Sequence, residues 1–176
     1  IKIILPDAIL LGSKIKTDHS KEIDLLAIDS NGDLVVIELK RGTTPREVIA
    51  QTLDYAAWVS TLKAEDINSI LLRQGRTETI YELLNKKFED GEEIEINENQ
   101  KLLIVASEID AITERVVEYL SSKGLNINAV TFNYYKDNDS EFVARNFLIK
   151  RDELFVTDEN KRSGRFITKL FSEGKL

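Results

Sequence analysis

Apolar positions along this chain fall mostly into short runs rich in leucine and β-branched residues, broken by clusters of turn formers and interleaved with segments of helical spacing. Glu22 to Ile28 and Leu34 to Lys40 have the composition of strands, and Asp29-Ser30-Asn31-Gly32-Asp33 between them is dense in turn-favouring residues. The pair predicts an antiparallel hairpin. Leu25 to Ile28 and Leu34 to Ile37 are continuous apolar runs, which fits central strands covered on both faces. Upstream, Ile1 to Leu5 and Ala8 to Leu11 are apolar around Pro6-Asp7, and Gly12 to Ser20 is polar; a short helix or loop leading into an edge strand is expected there.

Thr44-Pro45-Arg46-Glu47 has the form of a helix start, with threonine as N-cap, proline at the first helical position and glutamate three residues after the cap. The helix should run to about Leu62, with Val48, Gln51, Tyr55 and Val59 along one side. Residues 64–99 have the pattern of an insertion with two short helices, near Ile67 to Leu72 and from about Glu78 to Phe88, and an acidic loop at 89–93. Lys101 to Ala106 is a buried strand, Asp110 caps a helix closing at Gly124, and Ile127 to Tyr135 with Glu141 to Ile149 forms a second hairpin. The order of elements predicts an α/β fold with a mixed central sheet flanked by helices over residues 1–152. The basic stretch 153–176 is expected to be a tail or the start of a linker.

Composition narrows the chemistry. Cysteine is absent, so disulfides, thiolate metal sites and cysteine nucleophiles are excluded. No apolar run approaches the roughly 20 residues that span a bilayer, and no secretory leader is visible, so no membrane partner and a cytoplasmic protein are expected. The net charge of −7 argues against coating nucleic acid by bulk electrostatics, though it leaves room for a local basic groove. Methionine is absent and the chain opens on Ile1, the pattern of a fragment.

Polar residues inside the first hairpin carry the strongest chemical signal. Glu22 and Asp24 share one face of their strand, as do Glu38 and Lys40 of theirs, while Gln51 and Tyr55 project together from the helix. A charged pair at the end of an apolar strand is costly to desolvate unless it is paired or metal-bound. Two carboxylates brought together by a hairpin suit a hard divalent cation. Such an ion polarises a phosphodiester and acidifies a bound water, so no side-chain nucleophile is needed.

Asp24 followed by Glu38-Leu39-Lys40, with Gln51 and Tyr55 on the next helix, resembles the PD-(D/E)XK nuclease superfamily and its RecB-like branch. More closely, the segments Glu22 to Asp29, Leu34 to Gly42 and Ala50 to Trp58 resemble DUF91 and archaeal mismatch-endonuclease type catalytic domains. The resemblance implies a restriction-endonuclease-like core and a metal-dependent endonuclease cutting DNA, in repair or defence, with magnesium or manganese as cofactor. By position it implies Asp24, Glu38 and the Leu39 carbonyl as metal ligands, Glu22 as a ligand to a second ion and Lys40 as the catalytic lysine. Gln51 would then touch the lysine, a water or the DNA backbone, with Tyr55 bracing it. Arg41, Arg46 and Lys21 are candidate phosphate contacts, and a homodimer would allow both strands to be cut.

Each feature also has an ordinary structural account. Glu-X-Lys alone is a common cross-sheet ion pair, Gln51 and Tyr55 can simply pack the helix, Trp58 fits the core, and His19 fits a polar surface loop. A second functional class is a nuclease fold serving as a nucleic-acid-binding or regulatory module with little turnover. A third, a sugar- or nucleotide-handling enzyme, lacks a Gly-rich phosphate loop of standard spacing.

Overall fold

The computed structural model describes residues 1–18, 21–88, 94–137 and 140–150. His19, the acidic run at 89–93 and the stretch 153–176 lie outside the described residues. Six strands form one sheet in chain order: β1 (Ile9–Lys16), β2 (Glu22–Ile28), β3 (Leu34–Thr43), β4 (Gln100–Glu108), β5 (Ile127–Asp137) and β6 (Ser140–Phe147). β1 with β2, β2 with β3 and β5 with β6 pair antiparallel, whereas β3 with β4 and β4 with β5 pair parallel. Parallel neighbours need crossovers. Helices α1 (Glu47–Val59), α2 (Ala64–Arg73) and α3 (Ile80–Phe88) join β3 to β4, and α4 (Ala111–Ser122) joins β4 to β5. The result is the expected α/β fold, a mixed sheet flanked by helices.

The helices cover one face of the sheet. Leu26, Ile28, Leu34, Val36 and Ile104 pack there against Val48, Val59, Ile67, Leu71, Ile80 and Val117. Fully burying each such aliphatic side chain contributes about 1.5–3 kcal/mol. Within the predicted insertion, α2 and α3 therefore supply part of the main core. On the opposite face, Val35, Ile37, Leu103, Val105 and Val130 pack against Ile4, Leu5 and Ala8 of the N-terminal segment. That segment is held through its backbone, because Lys87 Nζ donates to the carbonyls of Pro6 and Ala8 and Arg145 to those of Ile3 and Ile4.

Two sequence expectations are corrected. Gly12 to Lys16 is strand rather than helix or loop: β1 is the edge strand, with a register shift between Leu10 and Gly12. Its outer side meets the end of α2, where the Gln74 side-chain amide accepts from Ser13 N at 3.3 Å and donates to Ser13 O at 3.2 Å. Thr44 does not cap α1. The residue before α1, Arg46, already has helical φ and ψ and makes no side-chain cap bond. The Thr44 hydroxyl instead donates to Asp110 Oδ2 at 2.6 Å and accepts from Asp110 N at 3.1 Å. Asp110 is the N-cap of α4, accepting from the backbone of Ile112 and Thr113. Bonds from the Thr113 and Thr44 hydroxyls hold its carboxyl well below the usual carboxylate range. A buried threonine thus ties the end of β3 to the start of α4.

The β2–β3 turn is fastened at the other end of the sheet. Asp29 Oδ1 accepts from the backbone of Asn31 and Asp33, and Lys101 of β4 bridges Asp29 and Asp33. Gly32, at φ +80°, accepts through its carbonyl from Asn97 N at 2.8 Å, and the Asn97 amide donates to Val59 O and Leu62 O at the end of α1. Among the described residues no helix is long and apolar enough to cross a membrane.

A Cβ on Gly32 would lie 2.2 Å from the Glu95 carbonyl oxygen, whereas one on Gly42, at φ +76°, meets nothing within 4 Å. Gly32→Ala is therefore expected to lose roughly 3 kcal/mol of stability and Gly42→Ala about 1 kcal/mol. Urea denaturation of the two variants measures the contrast, and equal losses would mean that the Glu95 contact is unimportant.

Candidate active site

Because β2 and β3 are antiparallel, the start of β2 lies beside the end of β3. The register Leu25 to Ile37, carried one step further, sets Asp24 opposite Glu38. Here side-chain contact replaces ladder pairing, since Asp24 Oδ2 accepts from the backbone N–H of Leu39 at 2.9 Å. Glu38 continues the face of Leu34 and Val36, so its carboxylate enters the helix-covered side, where it is 2% exposed. Oε1 accepts from Lys40 Nζ at 2.7 Å; Oε2 is buried with no hydrogen-bond partner. Burial pushes the Glu38 carboxyl up, the Lys40 ammonium pulls it down, and the Asp24 charge pushes it up again, leaving it above the usual range.

Helix α1 closes the site from above. Lys40 Nζ also donates to Gln51 Oε1 at 2.9 Å, Gln51 Nε2 donates to Tyr55 Oη at 2.8 Å, and the Tyr55 hydroxyl donates to Glu22 O at 2.7 Å. The four-residue spacing of Gln51 and Tyr55 makes this possible. Tyr55 is buried, and its two bonds anchor the glutamine between β3 and β2. Trp58, two turns beyond Gln51, packs partly buried against the core.

These groups line an open groove of about 990 Å³. Glu22 and Leu39 are exposed on its wall, and Lys21 lies at its rim in an ion pair with Asp54 at 2.9 Å. The two arginines expected beside the site do not line it. β3 continues to Thr43, which carries Arg41 to the opposite parity from Lys40. Arg46 borders a separate apolar groove of about 330 Å³ between α1 and α4, with Ile49, Leu53, Ile112 and Val116.

Lys14 is the residue that sequence reasoning missed. Its ammonium bonds Asp24 Oδ1 and lies in the field of Glu22 and Glu38, and the Asp24 contact raises its pKa. Its φ of 52° is left-handed, which costs a residue with a side chain about 1–2 kcal/mol. Only the pairing of β1 with β2 identifies it, because Ser13–Leu25 and Ile15–Ile23 leave Lys14 opposite Asp24.

Among the described residues no group of three or more His, Cys, Asp or Glu side chains is placed to hold a metal ion. A hard divalent ion would therefore rely on Asp24 and Glu38, with backbone oxygen and water completing its shell. The residues fit that role, since the buried, unpaired Glu38 Oε2 is an acceptor that only a donor or cation could satisfy.

No family model matches the chain, and no curated protein matches it either. Among solved structures, a repair endonuclease from Pyrococcus abyssi is similar at a TM-score of 0.43 and 17% identity, over 72% of this chain and 39% of that one. EndoMS in complex with double-stranded DNA gives a TM-score of 0.41 and 21% identity, over 72% of this chain and 37% of that one. The chain thus spans less than half the length of each.

The Glu38 environment makes a pH-dependent prediction. A raised carboxyl pKa means that the charged form is disfavoured by folding, a cost present above the folded pKa and relieved as pH falls through it. With divalent ions chelated, the melting temperature of Glu38→Gln relative to the parent should therefore be higher near neutral pH than in mild acid, because only the parent carries the carboxylate whose charge is opposed by burial. Calorimetric melting at both pH values checks this, and a difference that stays constant with pH, or grows in acid, would contradict it.

Proposed function

We propose that this chain is the catalytic domain of a metal-dependent endonuclease of the PD-(D/E)XK kind, hydrolysing phosphodiester bonds in DNA. The observation that carries the reading is the buried Glu38 carboxylate with one oxygen on Lys40 and the other unpartnered, beside Asp24 in an open groove. Asp24 and Glu38 would hold magnesium or manganese, with the Leu39 carbonyl as a further ligand. When bound, the ion supplies polarisation of the phosphodiester and acidification of a water.

The chain's own groups have separable tasks. Two of the three Lys40 donors are fixed by Glu38 and Gln51, which orients the ammonium and leaves a third donor for the attacking water or a non-bridging phosphate oxygen. Gln51 positions Lys40, and Tyr55 holds Gln51 through the backbone of Glu22. Lys21 at the rim is a candidate phosphate contact once it releases Asp54. Glu22 contributes a further carboxylate at the wall, available to a second ion.

Purified protein with magnesium or manganese should nick supercoiled plasmid and cut single-stranded, mismatched, branched or methylated oligonucleotides to different extents, and chelation should stop it. Asp24→Asn, Glu38→Gln and Lys40→Ala should each lower the rate about a thousandfold or more while circular dichroism stays unchanged. Undiminished cutting by Lys40→Ala would sink the assignment. DNA binding without turnover in the parent would favour a binding or regulatory module instead.

A further inference from the structure

Lys14 has no part in the chemistry described so far, yet its cation meets the same carboxylate that is offered to the metal. Three observations set it apart from an ordinary surface lysine. Its ammonium is bonded to Asp24 Oδ1, and the other Asp24 oxygen is already taken by Leu39 N, so both carboxylate oxygens are occupied. Its backbone is held in the left-handed region opposite Asp24, a conformation that a non-glycine residue rarely adopts without being over-determined by its surroundings. Its side chain is 65% exposed while that of Asp24 is 14% exposed, so the cation arrives from the solvent side onto a mostly buried acid.

We propose that Lys14 is the built-in counter-ion of the site: its ammonium neutralises Asp24 in the metal-free protein and must leave that carboxylate before a divalent ion can use it. The proposal rests on the reading of Asp24 and Glu38 as metal ligands. Without some cation, Asp24 and Glu38 would face each other across the hairpin with only Lys40, already bonded to Glu38 and Gln51, to balance them. Lys14 supplies the second positive charge. An exposed ammonium on a flexible four-carbon stem is held weakly and leaves at little cost, whereas a divalent ion gains from both acids at once. Lys14 therefore sets the metal concentration at which the site loads, and Lys40, less exposed and bonded twice, stays in place when it does.

The test measures manganese binding by calorimetric titration, without DNA, on the parent and on Lys14→Met, Lys14→Asn, Lys14→Arg, Asp24→Asn and Glu38→Gln. Asparagine tolerates the left-handed conformation, so Lys14→Asn guards against a backbone effect. Removing the charge should tighten manganese binding about tenfold in both Lys14→Met and Lys14→Asn, and Lys14→Arg should remain close to the parent. A structural role alone would leave affinity unchanged or weaken it. Either of those results, in Lys14→Met and Lys14→Asn together, overturns the proposal. Loss of binding in Asp24→Asn and Glu38→Gln checks the ligand assignment separately; if both bind as the parent does, that assignment fails, whatever the Lys14 variants do.

Discussion

A carboxylate buried at the end of the apolar run of a central strand is the constraint to which this molecule answers. Glu38 follows Leu34 and Val36 into the helix-covered core, where a charge without partners is strongly disfavoured. Lys40 satisfies one oxygen, and the lysine is in turn steadied by Gln51, the glutamine by Tyr55, and the tyrosine by the backbone of Glu22. The chain of donors closes across β3, α1 and β2. Only Glu38 Oε2 is left out of this network, a buried acceptor with no donor, which costs the folded state stability that the other bonds do not restore.

Holding that arrangement requires β2, β3 and α1 to keep their relative positions, and the fold secures them from both ends. At the turn, Lys101 fixes Asp29 and Asp33, while Gly32 and Asn97 join the hairpin to the end of α1. At the site end, Thr44 clamps the exit of β3 to Asp110 and hence to α4. The groove lies between two such fastenings, so its walls derive from elements whose ends cannot drift independently.

Much of this was legible in the sequence because it follows from local periodicity. Alternation along a strand put Glu38 with Lys40, four-residue spacing put Gln51 with Tyr55, and the turn at 29–33 announced the hairpin that brings Asp24 to Glu38. What escaped was set by tertiary partners. Thr44 carried the local signature of a cap, but Asp110, distant in sequence, offered its hydroxyl a charged acceptor and won. The polar run from Gly12 hid a strand, because an edge strand with one side toward solvent shows little apolar alternation, and with the strand went Lys14. Arg46 looked adjacent to the site by number, but the turn into α1 directs it toward α4.

The contact between Gln74 and Ser13 has a meaning beyond local packing. An unpaired strand margin is a template on which another chain can polymerise. On the β1 side, the glutamine amide occupies the backbone groups of Ser13, imitating a neighbouring strand with a single side chain. Growth of the sheet past Ser13 would first have to displace this side chain, so the end of α2 raises the cost of adding a strand along the same β1 that carries Lys14.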